Sequence, residues 1–184
     1  MSGFAMSLNT WLLRVARAAF WMAFLVVLAG SVVRMTGSGM GCPDWPKCFG
    51  LMVPPTEASQ VTWQQGETYE AGRMLVAHDQ LWVAQRDLTA EDFLLEQARG
   101  DWKLYTKHDY AVFNPVHTWV EFINRLLGAL AGLPALLLFV LAALARDMKT
   151  WLLSLLALVA LGFVAWLGKL VVDGNLIPHS ITIH

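Results

Sequence analysis

Cys42 and Cys48 are the only thiols in the chain, and they lie in the glycine- and proline-rich segment RMTGSGMGCPDWPKCFG at residues 34–50. Pro43 and Pro46 favour a bend that brings the cysteine Cα atoms within the roughly 4.4–6.8 Å that a disulfide needs. A loop facing an oxidising compartment would form that bond. The sequence leaves two roles open for the cysteine pair, a structural disulfide and a redox-active disulfide. Metal binding is not favoured, because no neighbouring Cys or His completes a site.

A second group of polar residues begins an apolar stretch, in HTWVEFINRLLG. In a helix His117, Glu121 and Asn124 fall at i, i+4 and i+7 and share one face, with Arg125 about 100° round the axis. Ionisable groups at membrane depth usually face a bundle interior, a cavity or a ligand. The alternative is a helix end solvated in the headgroup region, and it is strongest for His117.

His184 follows Pro178 by six positions, which places it at about the membrane depth of Glu121. A membrane histidine that faces a helix bundle is a natural axial ligand for heme iron. Arg34 and Arg125, at the outer rims of two apolar stretches, could pair with the two propionates. These residues suggest a heme in the outer half of a bundle, with a hydrogen-bonded interior histidine as the alternative.

The elements that must position these residues are membrane helices. The chain is 57% hydrophobic and 15% charged, with a mean hydropathy of +0.50, against about 25% charged residues in ordinary soluble domains. The net charge of -1 gives no reason to expect nucleic acid as a partner. We predict an all-α membrane protein, a transmembrane helix bundle with a long extracytoplasmic loop.

Arginine and lysine near the ends of the apolar stretches set the orientation. Arg14 and Arg17 precede the first stretch, and Arg146 and Lys149 lie between the second and third, so both sites should be cytoplasmic in a multi-pass inner-membrane protein. A signal peptide competes for the first stretch, but no small-residue cleavage site follows it, and a retained span is favoured. The expected order is a cytoplasmic amino terminus (1–17), a first membrane helix (18–33), the extracytoplasmic loop with the cysteine pair (34–116), a second membrane helix (117–145), a cytoplasmic turn (146–150), a third membrane helix (151–172), and an outer turn with the start of a fourth (173–184).

Within the long loop, TAEDFLLEQARG predicts a short helix. Thr89 can cap its start, Asp92 closes a capping box, and Gly100 suits the carboxyl-terminal cap. MLVAHDQLWVAQ could form another short helix. The loop is expected to be a small cap, too sparse in apolar residues for a core of its own.

Three stretches together resemble the heme A synthase family: GSVVRMTGSGMGCPDWPKCFG, HTWVEFINRLLGAL and GKLVVDGNLIPHSITIH. The resemblance implies a membrane enzyme of two related four-helix halves, eight spans in all. Such an enzyme oxidises the C8 methyl of heme O to the formyl of heme A for terminal oxidases. One half takes the substrate heme O and the other a heme b cofactor. This chain matches the amino-terminal half and is expected to be truncated at the start of the fourth span.

Carried over by this resemblance, His184 is the axial ligand of the heme iron and Glu121 is the catalytic glutamate. Cys42 and Cys48 match the loop cysteine pair, and Arg125 matches the arginine beside the second-span ligand. The family pattern Glu-x-x-His-Arg is broken, because Asn124 stands where a histidine is expected.

Asparagine is a poor iron ligand, which leaves the position opposite His184 without its usual imidazole. His117 lies seven residues from Asn124, about 10.5 Å along a helix, so it is a poor substitute. A five-coordinate heme with an open face beside Glu121 is the simpler hypothesis.

Two other functions stay open. A membrane thiol–disulfide oxidoreductase that reduces quinone also carries loop cysteines, although it usually needs two pairs. A non-catalytic heme-binding or assembly subunit is the other. The expected partners are heme O, membrane lipid, heme O synthase, oxidase assembly factors and a second copy of the chain.

Overall fold

The computed structural model describes residues 2–106 and 113–173. The predicted start of a fourth span, including His184, lies outside the described residues. The described chain divides into two compact units. Of the described residues, the helical unit comprises 2–32 and 123–171, and the loop unit comprises 33–106, 113–122 and 172–173.

Within the described residues, three of the four α-helices are long and apolar enough to cross a bilayer. The helices are α1 (Ser2–Thr36), α2 (Phe93–Ala98), α3 (Pro115–Ala145) and α4 (Met148–Asp173). The apolar stretches of the three long helices are 29, 31 and 24 residues long, and a membrane core requires about 20. The prediction of a helical, multi-pass membrane protein is confirmed.

Helix α3 has two contrasting faces. Glu121, Ala131, Ala135 and Ala142 are buried, and at 3.6 residues per turn they fall within about 80° of arc. The large side chains on the opposite side are exposed: Leu126, Leu130, Leu133, Leu137, Val140 and Leu144. Because small residues let helices approach closely in a membrane, the face that carries Glu121 points into the protein. The leucine face suits lipid.

Arg146 and Asp147 form the turn between α3 and α4. Arg146 has a φ of +56°. The Asp147 carboxylate accepts hydrogen bonds from the Thr150 hydroxyl (2.5 Å) and the Thr150 amide (3.2 Å), and so caps the first turn of α4. These bonds, the hydroxyl's above all, hold the pKa of Asp147 below its usual range. The rings of Phe139 and Trp151 pack 5.2 Å apart across this turn.

The loop unit is built on short antiparallel strands, which the sequence analysis did not predict. They are β1 (Thr68–Tyr69), β2 (Met74–Ala77), β3 (Gln80–Ala84), β4 (Leu88–Thr89) and β5 (Trp102–Leu104). Strands β2, β3 and β5 form one sheet in that order, and β1 pairs with β4.

The prediction of a helix over MLVAHDQLWVAQ is wrong. This segment is the β2–β3 hairpin, in which Met74 pairs with Val83 and Ala77 with Gln80. Its two-residue turn, His78 and Asp79, has φ values of +51° and +59°. Positive φ at both positions is the hairpin turn geometry that matches the twist of the strands.

The expectation that the loop lacks a core is also wrong, because two apolar clusters cover the two faces of the sheet. The first contains Tyr69, Leu75, Trp82, Ala84, Ala90, Phe93 and Trp102. The second contains Cys42, Cys48, Phe49, Val61, Met74 and Leu81. Side chains alternate between the two faces of a strand, so Leu75 and Met74 enter different clusters. The second cluster places the cysteine segment directly against the sheet.

Helix α2 confirms the prediction of a short helix, with one change at its start. Asp92 caps it by accepting from the amides of Leu94 and Leu95, whereas Thr89 lies in β4. At the end, Gly100 has a φ of +80° and donates to the Gln97 carbonyl, which is the predicted glycine cap.

A buried carboxylate ties α2 to the rest of the loop unit. Glu96 has no exposed surface and accepts hydrogen bonds from the indoles of Trp102 (2.8 Å) and Trp63 (3.2 Å). It also accepts from the backbone amides of Glu91 and Asp92. Four donors compensate the cost of burying this polar group.

An ion pair follows α2. Asp101 accepts from the Arg86 guanidinium at 2.6 and 3.0 Å, and Arg99 lies 3.3 Å away. The hydrogen bond from Arg86 holds the pKa of Asp101 below its usual range.

Candidate functional site

The two cysteines form a disulfide. Cys42 and Cys48 are bonded, with their Cα atoms 5.0 Å apart, as the sequence analysis expected. Both residues have no exposed surface. Thiol–disulfide exchange requires a thiolate to attack a sulfur directly, so an external reductant reaches this bond only if the loop opens. The burial favours the structural role over the redox role.

A tight turn anchors the second cysteine. Cys48 and Leu51 exchange backbone hydrogen bonds of 2.8 and 3.1 Å, and the central residues, Phe49 and Gly50, have φ values of +58° and +77°. Phenylalanine rarely adopts this conformation. The Asp44 carboxylate stabilises it by accepting from the amides of Phe49 (2.6 Å) and Gly50 (2.9 Å).

Two further contacts attach the cysteine segment to the sheet. The Phe49 carbonyl accepts from the Met74 amide at 3.1 Å, and the Tyr105 hydroxyl donates to the Pro43 carbonyl at 2.6 Å. Phe49 is fully buried. The cysteine segment is therefore held by the core of the loop unit, and the sequence analysis missed Asp44 and Tyr105 as the residues that hold it.

Glu121 contacts the cysteine segment directly. Its side chain is buried, with 3% of its surface exposed, and Oε2 accepts a hydrogen bond from the Cys42 amide at 2.8 Å. The two residues are 79 positions apart in the chain. The structure therefore brings together two of the groups that the sequence predicts to be functional, the glutamate of α3 and the cysteine pair.

Thr118 makes a second contact with the same segment. It is fully buried, and its hydroxyl donates to the Gly41 carbonyl at 2.9 Å. The Cys42 sulfur lies 3.6 Å from the Thr118 carbonyl oxygen, and this is a packing contact because a disulfide sulfur carries no proton. Sequence reasoning missed Thr118, since a threonine in an apolar helix carries no signal of its own.

Gly41 explains how the segment approaches α3 so closely. A Cβ at this position would lie 2.4 Å from the His117 carbonyl oxygen and 2.7 Å from the Thr118 nitrogen. Both are backbone atoms that no side-chain rotation can move. Only glycine fits here.

The other predicted residues lie along the helices. His117, Asn124 and Arg125 are half-buried on the first turns of α3, and Arg34 is exposed in the last turn of α1. A Cβ added at Gly30 of α1 would lie 3.8 Å from the Asn124 side-chain oxygen, so Asn124 faces another helix. The predicted ligand His184 lies outside the described residues.

The interior face of α3 suits a heme in its chemistry. It offers the imidazole of His117 and the carboxylate of Glu121, and the guanidinium of Arg125 is adjacent. Gly128, one turn beyond Asn124, has open space where a Cβ would stand. Among the residues that the structure describes, no group of three or more His, Cys, Asp or Glu side chains could hold a metal ion by itself.

The chain is similar in sequence to a set of known proteins. A family model described as cytochrome oxidase assembly protein matches residues 11–80. The heme A synthase of Shewanella oneidensis is 26% identical over 95% of this chain and 40% of its own length. Those of Bartonella quintana and Flavobacterium psychrophilum are 30% and 24% identical, over 63% and 97% of this chain.

The chain thus spans less than half the length of these relatives, 44% at most. No solved structure matches. The resemblance to heme A synthases that the sequence predicts is confirmed.

Proposed function

We propose that this chain, which is similar to heme A synthases over nearly its whole length, forms the heme O-binding half of a membrane oxidoreductase. Its reaction is the oxidation of the C8 methyl of heme O to the formyl of heme A, for terminal oxidase biogenesis. The observation that carries the proposal is the hydrogen bond between Glu121 and Cys42. It joins two of the three stretches that support the resemblance, within one buried site.

The substrate heme O is held by residues of the helices. His184 would hold the iron, and Arg125 and Arg34 would pair with the propionates. When bound, the heme iron supplies the redox chemistry of the methyl oxidation. A heme b cofactor belongs to the half of the enzyme that this chain does not contain.

Glu121 acts as the proton relay. Its carboxylate is on the interior face of α3, away from lipid, and it is oriented by the Cys42 amide. A buried, fixed carboxylate can take up a proton at a defined position, and the resulting carboxyl group can return it without reorienting. Asn124, one turn further along α3, would offer the heme iron an amide where the family pattern has an imidazole.

The disulfide holds the site in place in this proposal and does not carry electrons, because both sulfurs are shielded from solvent. The same shielding disfavours a thiol–disulfide oxidoreductase. A non-catalytic heme-binding or assembly subunit is the second candidate. The replacement of the expected histidine by Asn124 favours it.

The proposed setting follows from the basic residues at the helix ends. We place the protein in the cytoplasmic membrane with its amino terminus in the cytoplasm and the loop unit outside. Heme O synthase is the proposed source of substrate and oxidase assembly factors receive the product. Either the remaining half of the enzyme or a second copy of this chain would complete the bundle.

The test uses the protein expressed from its complete gene in a heme O-producing host that lacks heme A synthase. We expect wild-type protein to form heme A, measured by chromatography of extracted hemes. Glu121→Gln should keep bound heme and lose heme A formation. Unchanged turnover in this variant would refute the role of Glu121, and bound heme without turnover in the wild type would establish the non-catalytic candidate.

A spectrum tests the coordination. We expect a high-spin signal from the heme bound beside Asn124, and Asn124→His should convert this signal to a low-spin bis-histidine spectrum. Asn124→Gln, which adds no imidazole, is the matched control and should stay high-spin. A low-spin bis-histidine heme in the half that retains Asn124 would contradict the open-face hypothesis.

A further inference from the structure

We infer that Thr118 is a positioning residue for Glu121, and that it acts through the single peptide unit between Gly41 and Cys42. This inference rests on the proposed role of Glu121 in proton transfer. It assigns a function to a residue that lacks any ionisable or redox chemistry. It also explains how the disulfide influences the site without exchanging electrons.

The two hydrogen bonds share one rigid group. The Gly41 carbonyl accepts from Thr118, and the Cys42 amide, in the same peptide unit, donates to Glu121. A trans peptide is planar, so its C=O and N–H point in opposite directions and cannot be reoriented independently. Fixing the carbonyl therefore fixes the direction of the amide.

The helix supplies the matching spacing. Thr118 and Glu121 are three residues apart on α3, so their side chains are neighbours on its surface. The peptide unit bridges these two side chains, and it reaches them because Gly41 rests on the helix backbone at His117. The arrangement orients the glutamate with one side chain from its own helix, Thr118, and one peptide from the loop.

Burial makes the arrangement effective. Thr118 and Cys42 have no exposed surface, and Glu121 exposes 3% of its own. Water therefore does not compete for the hydrogen bonds, and each is stronger than it would be in solvent. On the far side, the disulfide fixes Cys42 to the Cys48 turn, so the amide donor is held from both directions.

The test compares variants that differ in one hydroxyl. Thr118→Val removes the donor at nearly constant volume, and Thr118→Ser retains it. In the complete protein, the infrared band of the Glu121 carboxyl is identified by its loss in Glu121→Gln. We expect this band to shift in Thr118→Val and to stay at the wild-type position in Thr118→Ser.

Turnover gives the second measurement. We expect heme A formation to fall by about 10- to 100-fold in Thr118→Val, the loss typical of a misplaced catalytic group, and to recover in Thr118→Ser. Heme content should be equal in all three proteins. Should Thr118→Val fail to fold, Thr118→Ala, which removes the hydroxyl without burying a new methyl group, carries the same expectations.

Two outcomes would overturn the inference. One is an unshifted carboxyl band in Thr118→Val, whatever happens to turnover, because a purely structural loss does not require Glu121 to move. The other is a Thr118→Ser variant that behaves like Thr118→Val. A shifted band together with full turnover in Glu121→Gln would instead support the positioning role and refute the proposed function.

Discussion

Replacing Gly41 by alanine tests the contact on which the whole site depends. The added Cβ would lie 2.4 and 2.5 Å from the carbonyl oxygen and carbon of His117, and 2.7 Å from the Thr118 nitrogen. Comfortable contacts begin near 3.4 Å, so the cysteine segment must move about 1 Å away from α3. At that distance neither hydrogen bond of the Gly41–Cys42 peptide survives.

The cost follows from the two bonds that are lost. The hydrogen bond that Thr118 donates and the one that Glu121 accepts contribute about 1 kcal/mol each. We therefore expect Gly41→Ala to lower the free energy of unfolding of the loop unit by about 2 kcal/mol. The expected loss is large compared with the effect of an ordinary surface substitution.

Hydrogen exchange on the purified, detergent-solubilised protein measures this effect at the site. The Cys42 amide should exchange much faster in Gly41→Ala than in wild type, and thermal unfolding should begin at a lower temperature. Gly128→Ala is the control, because its Cβ would meet nothing within 4 Å. If the two variants exchange and unfold alike, the close approach of the segment to α3 is wrong.

Three further predictions concern the loop unit. Because Cys42 and Cys48 are buried, a water-soluble reductant should leave their bond intact in native protein, and mass spectrometry after alkylation should detect free thiols only once denaturant is added. Glu96→Leu should abolish folding of the loop unit, measured by limited proteolysis, because four donors lose their acceptor, while Glu96→Gln should be milder. Arg86 holds the pKa of Asp101 below its usual range, so the ionised pair stabilises the fold at pH values above the ordinary pKa of an aspartate. This contribution disappears as the pH falls through the lowered pKa. Asp101→Asn should remove this part of the acid sensitivity in thermal unfolding curves.

The membrane helices could be predicted from the sequence because their signal is local. Each is a continuous apolar stretch whose length matches a bilayer. The cap of α2 was equally readable, since Gly100 is placed where a left-handed residue is needed. The cysteine pair was found for the same reason, as its two members are six residues apart.

The β2–β3 hairpin was missed because both of its faces are buried. A strand with one solvated face alternates between apolar and polar residues, whereas Leu75 and Met74 enter apolar clusters on opposite sides. The period-2 pattern is then absent, and a short apolar run cannot be told from a helix. The turn at His78 and Asp79 was the remaining signal, because Asp tolerates positive φ.

The contact between Glu121 and Cys42 could not have been predicted in its actual form. The donor is a backbone amide, which every residue except proline possesses. The residue type at position 42 therefore does not indicate this hydrogen bond. The contact of Thr118 could not be predicted for a related reason, because its hydrogen-bond partner is the backbone carbonyl of Gly41. Only the glycine itself reflects the contact, through the side chain it lacks.

The sealed environment of Cys42 and Cys48 has a consequence for biogenesis. Once the chain has packed, neither sulfur is accessible, so the two thiols must be oxidised before that packing is complete. A cell deficient in such oxidation would accumulate a dithiol form in which the peptide beside Glu121 is less firmly held. The yield of working protein would then depend on the timing of thiol oxidation during membrane insertion.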